Sequence, residues 1–383
     1  MSVPFVDLAA QQAEVAAEVL PQWQHLFRSA RFVGGEPVES FERDFASFTG
    51  VRHCVGVANG TDAIELALRA VGVEPGGQVI LPVNTFIATA EAVSRIGAVP
   101  VFVDVDPEYL LIDPDAVAAA ITPRTQAIVP VHLYGQVAPV EQLLPLVKGR
   151  GIPIVEDNAQ AQGASVVAKD AVASKHTGSL GTISATSFYP GKNLGAAGDA
   201  GAVTTNDSDL AHTVRELGAH GSSVKYVHTR IGMNSRLDAL QAVVLSAKLK
   251  RLDGWNALRR SAAARYQELF ADVEEVQTPM SRPGSLDVFH LFVIQVDERD
   301  RVLNDLDAAG IGAAIHYPTP LHLTAAYENL GYRAGQFPIA ETAARRILSL
   351  PMFPHLTADQ QATVAAELTA ATTTAMAAGR TRR

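Results

Sequence analysis

Cys54-Val55-Gly56-Val57-Ala58-Asn59-Gly60-Thr61-Asp62-Ala63 decides the fold class, because a short apolar run passes through a polar turn directly into an Ala/Leu-rich stretch. Cys54 to Val57 reads as a strand, and Asp62 to Val71 as a helix whose start is marked by Asn59, Gly60 and Thr61. The unit recurs downstream. The pattern predicts strands at Gln78 to Leu81, Pro100 to Val105, Ala127 to His132 and Ile152 to Val155. Between them it predicts helices at Ala88 to Ile96, Asp115 to Ile121 and Pro139 to Lys148. Further strands are read at Ile183 to Phe188 and Ala202 to Thr205. This order predicts an α/β fold with a mostly parallel mixed sheet flanked by helices, and a ligand site at the carboxyl ends of the strands.

Beyond this region the pattern changes. From Ser235 to about Phe270 apolar residues recur at three and four positions, which predicts one long linking helix. After Pro279 the reading is α+β: strands at Val288 to Val296 and Ala313 to Tyr317, and helices at Arg301 to Ala309, Ala340 to Leu348 and Ala358 to Ala371. Thr357 and Gln360 have capping-box spacing. The expected organisation is a large domain over residues 1–245 and a small C-terminal domain over 246–383, with the tail Gly379 to Arg383 disordered.

The chain has 383 residues, enough for about two domains at ~150 residues each. With 48% hydrophobic and 19% charged residues it reads as globular. A formal net charge of −9 argues against general binding to nucleic acid or to anionic membranes, which requires a positive surplus. Cys54 is the single cysteine, so neither an intrachain disulfide nor a cysteine-based metal cluster is expected, and a reducing cytoplasm is the default location. No secretory leader is read at the start, and no apolar run approaches the ~18 residues of a membrane helix.

Three stretches carry candidate chemistry. Asn59-Gly60-Thr61-Asp62 lies where a strand meets a helix, so free amides and the helix dipole favour an anion there; an ordinary cap is the alternative. Ile154-Val155-Glu156-Asp157-Asn158-Ala159-Gln160 delivers carboxylates at a strand end, where they either hold a ligand cation or cap a turn. Ser187-Phe188-Tyr189-Pro190-Gly191-Lys192-Asn193-Leu194-Gly195 places a lysine in a glycine-rich turn, as a Schiff-base lysine or as a solvent-facing one. A P-loop requires Gly at 186 and Ser or Thr at 193, where this chain has Thr186 and Asn193. Gly195, Gly198 and Gly201 are not spaced as a dinucleotide-binding motif. Together the three stretches and Phe86 offer a partner for each part of pyridoxal phosphate: amides and a hydroxyl for phosphate, an aromatic face, a carboxylate for the ring nitrogen and an amine for the aldehyde.

On these residues the sequence resembles the DegT/DnrJ/StrS-type sugar-nucleotide aminotransferases, within fold type I of the pyridoxal-phosphate enzymes. The resemblance also takes in Val3 to Leu8, Asn234-Ser235-Arg236-Leu237-Asp238, His316-Tyr317-Pro318 and Ser349-Leu350-Pro351. It implies Lys192 as the Schiff-base amine and proton shuttle, Asp157 on the pyridine nitrogen and Gln160 on the ring hydroxyl. Phe86 and Ala159 would take the two ring faces, and Gly60, Thr61 and Ser187 the phosphate. It further implies a homodimer in which Asn234 reaches the cofactor of the other subunit, with Arg236, His316, Tyr317 and Tyr189 contacting substrate. Arg236 as a surface ion pair, and His316 and Tyr317 as a packed strand end, are the structural alternatives.

The implied reaction moves an amino group from glutamate to a nucleotide-linked keto-deoxysugar, with a dTDP-linked 3-keto-6-deoxyhexose favoured over a 4-keto hexose or pentose. A lyase or dehydratase on the same fold and a non-catalytic cofactor-binding regulator are the rivals. Two positions depart from the family pattern: Asn158 stands where a small residue is usual, and Ala200 where glycine is usual.

Overall fold

The computed structural model describes residues 2–167 and 174–380. The chain opens with two helices for which the strand-helix alternation gives no sign, α1 (Leu8–Ser29) and α2 (Glu36–Thr49). The α/β region follows with β1 (His53–Val57), α3 (Gly60–Ala70), β2 (Gln78–Pro82), α4 (Ile87–Arg95), β3 (Val99–Val103), α5 (Pro114–Ala120), β4 (Thr125–Ile128), α6 (Val140–Val147) and β5 (Val155–Asp157). Two short strands, β6 (Ser165–Val167) and β7 (Ser174–His176), precede β8 (Ile183–Ser187), β9 (Gly201–Thr205) and α7 (Ser208–Gly218).

The strands β1, β9, β8 and β5 hydrogen-bond in that order, and β3, β2 and β4 form a second set. Parallel bridges Ile128 to Ile154 and Val131 to Asp157 join the sets into one sheet ordered β1-β9-β8-β5-β4-β2-β3. Only β9 runs antiparallel to its neighbours. Both faces of the sheet are covered, so alternate residues of one strand enter different cores. Val79 and Leu81 of β2 join the cluster that holds Leu66 and Val155, whereas Ile80 between them joins Ile128, Ile154 and Leu143. Each fully buried leucine or isoleucine contributes about 1.5–3 kcal/mol.

After the sheet come α8 (Ala239–Leu249), α9 (Leu252–Leu269), β10 (Ser285–Leu286), β11 (Phe292–Gln295), α10 (Arg299–Ala308), α11 (Pro338–Arg346), β12 (Ile347–Leu350) and α12 (Ala358–Arg380). The single helix expected over 235–270 is therefore two, separated at Lys250 and Arg251. It also starts late, because Asp238 is extended and bridges Val33, and Ala239 N–H donates to the Phe32 carbonyl. Apolar spacing persists across a helix break and so conceals it.

The expected strand Ala127 to His132 stops at Ile128, since Pro130 has no amide for the ladder. Ala313 to Tyr317 makes only a bridge, Ala314 to Ser349, and Val288 to Val296 is regular only over β11. Asn59 caps α3 as expected, accepting from Asp62 N–H at 2.8 Å. Thr357 and Gln360 exchange both bonds of a capping box, at 2.9 and 3.2 Å. The final helix passes Ala371 and runs through Gly379 to Arg380, and the rest of the tail expected to be disordered lies outside the described residues. Apolar contacts cross position 245: Leu291, Tyr327 and Phe337 pack into the cluster of the large sheet, and Val3 packs with Phe292 and Leu350. Among the described residues, no helix is long and apolar enough to cross a membrane.

Candidate active site

A cavity of about 790 Å³ opens at the carboxyl ends of β1, β2, β5 and β8. At one end lies the start of α3. The first amides of a helix have no intrahelical acceptor, and the helix dipole adds positive potential, so Gly60 and Thr61 present an anion cradle. Ser187, the last residue of β8, closes it. A Cβ on Gly60 would lie 2.5 Å from the Ser187 Cβ, so only glycine lets the two approach. Ser187 Oγ accepts from Tyr189 N–H at 3.3 Å, which leaves its own proton for a ligand.

Asp157 ends β5 and is 4% exposed. Thr89 Oγ1 donates to Asp157 Oδ2 at 2.7 Å, and Ala159 N–H donates to Oδ1 at 3.1 Å. With its proton committed, Thr89 must accept from the Thr85 hydroxyl, 2.9 Å away. Burial raises the Asp157 pKa, and the Thr89 bond, the Ala159 bond and nearby Lys192 pull against that rise. The neighbouring Glu156 serves a different purpose. Its carboxylate accepts from the Gly178, Leu180 and Gly181 amides and meets His132 Nε2 at 2.8 Å. His132 Nδ1 accepts from Ala138 N–H at 3.0 Å, so Nε2 carries the proton. Strand alternation thus sends one carboxylate into the structural frame and the next into the cavity.

Lys192 sits in a turn in which its own amide donates to the Tyr189 carbonyl at 2.8 Å, with Pro190 at the second turn position. A Cβ at Gly195 would lie 2.3 Å from the Pro190 carbonyl oxygen, so the loop closes tightly on itself. The buried Lys248 donates from Nζ to the Gly195 carbonyl at 2.7 Å and pins the loop from behind. Burial lowers the Lys192 pKa to about 8, with Asp157 opposing the drop. At neutral pH both protonation states of this amine lie within easy energetic reach.

The remaining wall is aromatic and amide. Gln160 Oε1 accepts from Tyr134 N–H at 2.7 Å, which turns its amide NH₂ toward Tyr317 Oη at 3.1 Å. Tyr134 Oη donates to the His316 carbonyl at 2.5 Å, and Phe86 packs on Tyr317 with ring centroids 5.4 Å apart. His316 stacks on Phe5 at 5.6 Å and shares a 2.8 Å hydrogen bond with Ser349 Oγ. Burial, reinforced by Lys192, lowers its pKa to about 4, and burial pushes that of Tyr317 up to about 12.

Of the residues expected from sequence, the cavity brings together Gly60, Thr61, Phe86, Asp157, Ala159, Gln160, Ser187, Tyr189, Lys192, His316 and Tyr317. Asn234 and Arg236 are exposed and do not line it within one chain. Neither departure from the family pattern touches the Asp157 carboxylate: the Asn158 amide donates to the Thr177 carbonyl at 3.3 Å, and the Ala200 carbonyl accepts from Phe188 N–H. Thr89, Tyr134 and His290 join the site without having been expected there. The Thr85-to-Thr89 spacing of four at a helix start is a legible signal for the first. The others reach the site from distant segments and carry no local signal.

The donor set suits pyridoxal phosphate: a cradle too tight for a side chain at Gly60, a buried carboxylate with a free cavity-facing role, and an amine of reduced basicity. Fold and site together define a pyridoxal-phosphate transferase of the α/β class. The family model of the DegT/DnrJ/EryC1/StrS aminotransferases matches residues 14–369, and the chain belongs to that family. It is a pyridoxal-phosphate-dependent sugar-nucleotide aminotransferase.

Among its relatives, a pleiotropic regulatory protein of Geobacillus stearothermophilus is 45% identical over 94% of this chain and 96% of that protein. The dTDP-3-amino-3,4,6-trideoxy-alpha-D-glucose transaminase of Streptomyces venezuelae is 44% identical over 92% of each chain. The crystal structure of S. venezuelae DesV in complex with a ketimine intermediate superposes with a TM-score of 0.92, at 43% identity, over 96% of this chain and 98% of that one.

The cradle makes one sharp test. Gly60→Ala is expected to force Ser187 away from the start of α3 and to weaken binding of pyridoxal phosphate by about tenfold or more, an anion-site loss of about 1.4 kcal/mol. Absorbance titration of the apoprotein measures it.

Proposed function

We propose that this chain transfers the amino group of L-glutamate to the keto carbon of a dTDP-linked 3-keto-6-deoxyhexose, in two half-reactions that share one cofactor. The observation that carries the reading is the convergence of Lys192, Asp157 and the Gly60 cradle on one cavity. The Streptomyces venezuelae transaminase, whose name places the amino group at C3, supports the sugar position.

When bound, pyridoxal phosphate supplies an aldehyde that takes up an amino group and a ring that accepts carbanion electrons. Lys192 Nζ is the amine that holds the cofactor and moves a proton between two carbons, for which an amine half-titrated at about 8 is well matched. Asp157, aimed by Thr89 and Ala159, keeps a proton on the ring nitrogen. Gln160, oriented by Tyr134, donates to the ring hydroxyl oxygen. Gly60, Thr61 and Ser187 hold phosphate, while Phe86 and Ala159 take the ring faces. Tyr189, His316 and Tyr317 would meet the sugar.

Asn234 and Arg236 act, in this reading, in the site of a second copy. Their segment is unusually apolar for an exposed one, with Ile231 87% and Tyr226 81% exposed, as a segment covered by a partner subunit would be. Mixing Lys192→Ala with an Asn234→Ala/Arg236→Ala double variant, each inactive alone, is expected to restore activity, because the mixed dimer contains one intact site. No recovery on mixing after subunit exchange would rule out the shared site.

The function is tested by incubating the holoenzyme with glutamate and dTDP- and UDP-linked 3-keto and 4-keto sugars, and locating nitrogen in the product by NMR. Amination at C3 supports the reading. Amination at C4 of a hexose or pentose transfers it to the direct alternative. Release of an unaminated sugar product points to a lyase or dehydratase, and a cofactor spectrum unchanged by glutamate points to a regulator.

A further inference from the structure

Tyr134 lies behind the cavity wall, in the turn Leu133–Gly135 that follows β4, and is 5% exposed. Its backbone is left-handed, with φ at 64°. A residue with a Cβ rarely adopts that conformation, which persists only where the surroundings over-determine it. Three hydrogen bonds do so here, each to a segment distant in sequence. The Tyr134 N–H donates to Gln160 Oε1 at 2.7 Å, its carbonyl accepts from Leu291 N–H at 3.2 Å, and its hydroxyl donates to the His316 carbonyl at 2.5 Å.

These bonds close a ring around the amide and phenol that face the cavity. With Oε1 taken by a backbone N–H, Gln160 turns its NH₂ to Tyr317 Oη at 3.1 Å. Tyr317 follows His316, whose carbonyl leads back to Tyr134. Having accepted from Gln160, the Tyr317 hydroxyl keeps its own proton for a ligand. The main chain that carries His316 and Tyr317 is otherwise loosely tied. Ala314 pairs with Ser349 at 3.1 and 2.8 Å, and Leu321 N–H donates to the Val83 carbonyl at 2.9 Å. Between these anchors, among the described residues, the backbone of 315–319 makes one hydrogen bond, that of the His316 carbonyl with the Tyr134 hydroxyl.

We propose that Tyr134 is a positioning residue for the substrate wall, its hydroxyl holding the His316–Tyr317 backbone in register with the cofactor residues from outside the cavity. A wall segment with a single main-chain tether shifts when that tether is cut, and a shift of about 1 Å is enough to spoil a fitted contact. The cofactor side has anchors of its own. Asp157 is held by Thr89 and Ala159, and the Lys192 loop by Lys248 and Asn193. Loss of the Tyr134 hydroxyl therefore separates substrate recognition from cofactor binding.

The inference rests on His316 and Tyr317 meeting the sugar, as proposed above. Tyr134→Phe tests it, because the change removes the hydroxyl and keeps the backbone N–H on Gln160. Hydrogen exchange of the holoenzyme, read by peptide mass spectrometry, is expected to quicken about fivefold or more over residues 313–319 and to stay within about twofold over 59–63. With the keto sugar that wild type aminates, KM should rise about tenfold, with kcat within about threefold and pyridoxal phosphate affinity within about twofold. In a Tyr317→Phe background the same change should raise KM by no more than about threefold, since the phenol it positions is gone. Unchanged exchange over 313–319, or an unchanged KM, overturns the proposal. So do additive effects in the double variant, or a Tyr134→Phe chain that does not fold, either of which assigns the hydroxyl to general stability. Should Tyr317→Phe and His316→Ala themselves leave the sugar KM unchanged, the substrate wall falls and this inference with it. A failure confined to Tyr134→Phe leaves the wall standing.

Discussion

Lys192→Ala is expected to abolish transamination, with a rate loss of at least about 10³-fold, and to leave no pyridoxyl adduct after borohydride reduction. Two independent losses combine in this variant. The amine that would attach the cofactor is gone, and so is a cavity group whose lowered pKa, about 8, suits it to carry a proton in either direction near neutral pH. The other basic groups facing it do not substitute, since His316 is held neutral by burial with a pKa of about 4 and His290 lies well below the ordinary histidine range. The variant should still fold, because among the described residues Nζ makes no hydrogen bond on which the loop depends. The loop is held instead by the Lys192 amide on Tyr189, by Lys248 on Gly195 and by Asn193 on Val288 and Asn256. Exogenous methylamine should recover part of the rate. A variant that transaminates normally, or wild type in which the adduct forms on another lysine, would sink the assignment.

Asp157→Asn is expected to cost about 10²–10³-fold in the rate of both half-reactions while leaving the fold intact. The substitution keeps the shape of a side chain that is 4% exposed, removes its charge and replaces one of its two accepting oxygens with an NH₂. Without that charge the ring nitrogen loses the partner that keeps it protonated, and the ring becomes a poorer acceptor of electrons. The geometry makes this more than a generic charge loss. Thr89 and the Ala159 amide both donate to the carboxylate, so its lone pairs are directed and its ionised form is favoured against burial. Thr89→Val should therefore reproduce a fraction of the effect, by freeing Asp157 to rotate and raising its pKa further. Single-turnover absorbance with glutamate measures each variant, and a Asp157→Asn rate within threefold of wild type would exclude the role.

Much of this site lay open in the sequence because its parts are local. A glycine after a strand and before a helix, a carboxylate at a strand end and a lysine in a glycine turn are each read from a few adjacent residues. The shared direction of β1, β2, β5 and β8 then sends their carboxyl ends to one edge. What escaped notice is equally instructive. Glu156 and Asp157 are adjacent carboxylates with nothing in their chemistry to rank them, and strand alternation alone sends the first to three backbone amides and the second to the cavity. The two helices before β1 lack flanking strands, and the break at Lys250 and Arg251 leaves the apolar spacing undisturbed.

The sequence by itself determined the α/β class, the caps of α3 and α12, the family and the residues at the strand ends, because these depend on contacts between residues a few positions apart. Tertiary structure alone decided what holds those residues in place. Thr89 and Asp157 are 68 positions apart, and Gln160 and Tyr317 are 157 apart. His290 Nδ1 shares its hydrogen bond with Asn193, 97 residues away. Periodicity carries no information over such separations, since a side chain's partner across the fold is selected by packing and by the requirement that every buried donor find an acceptor.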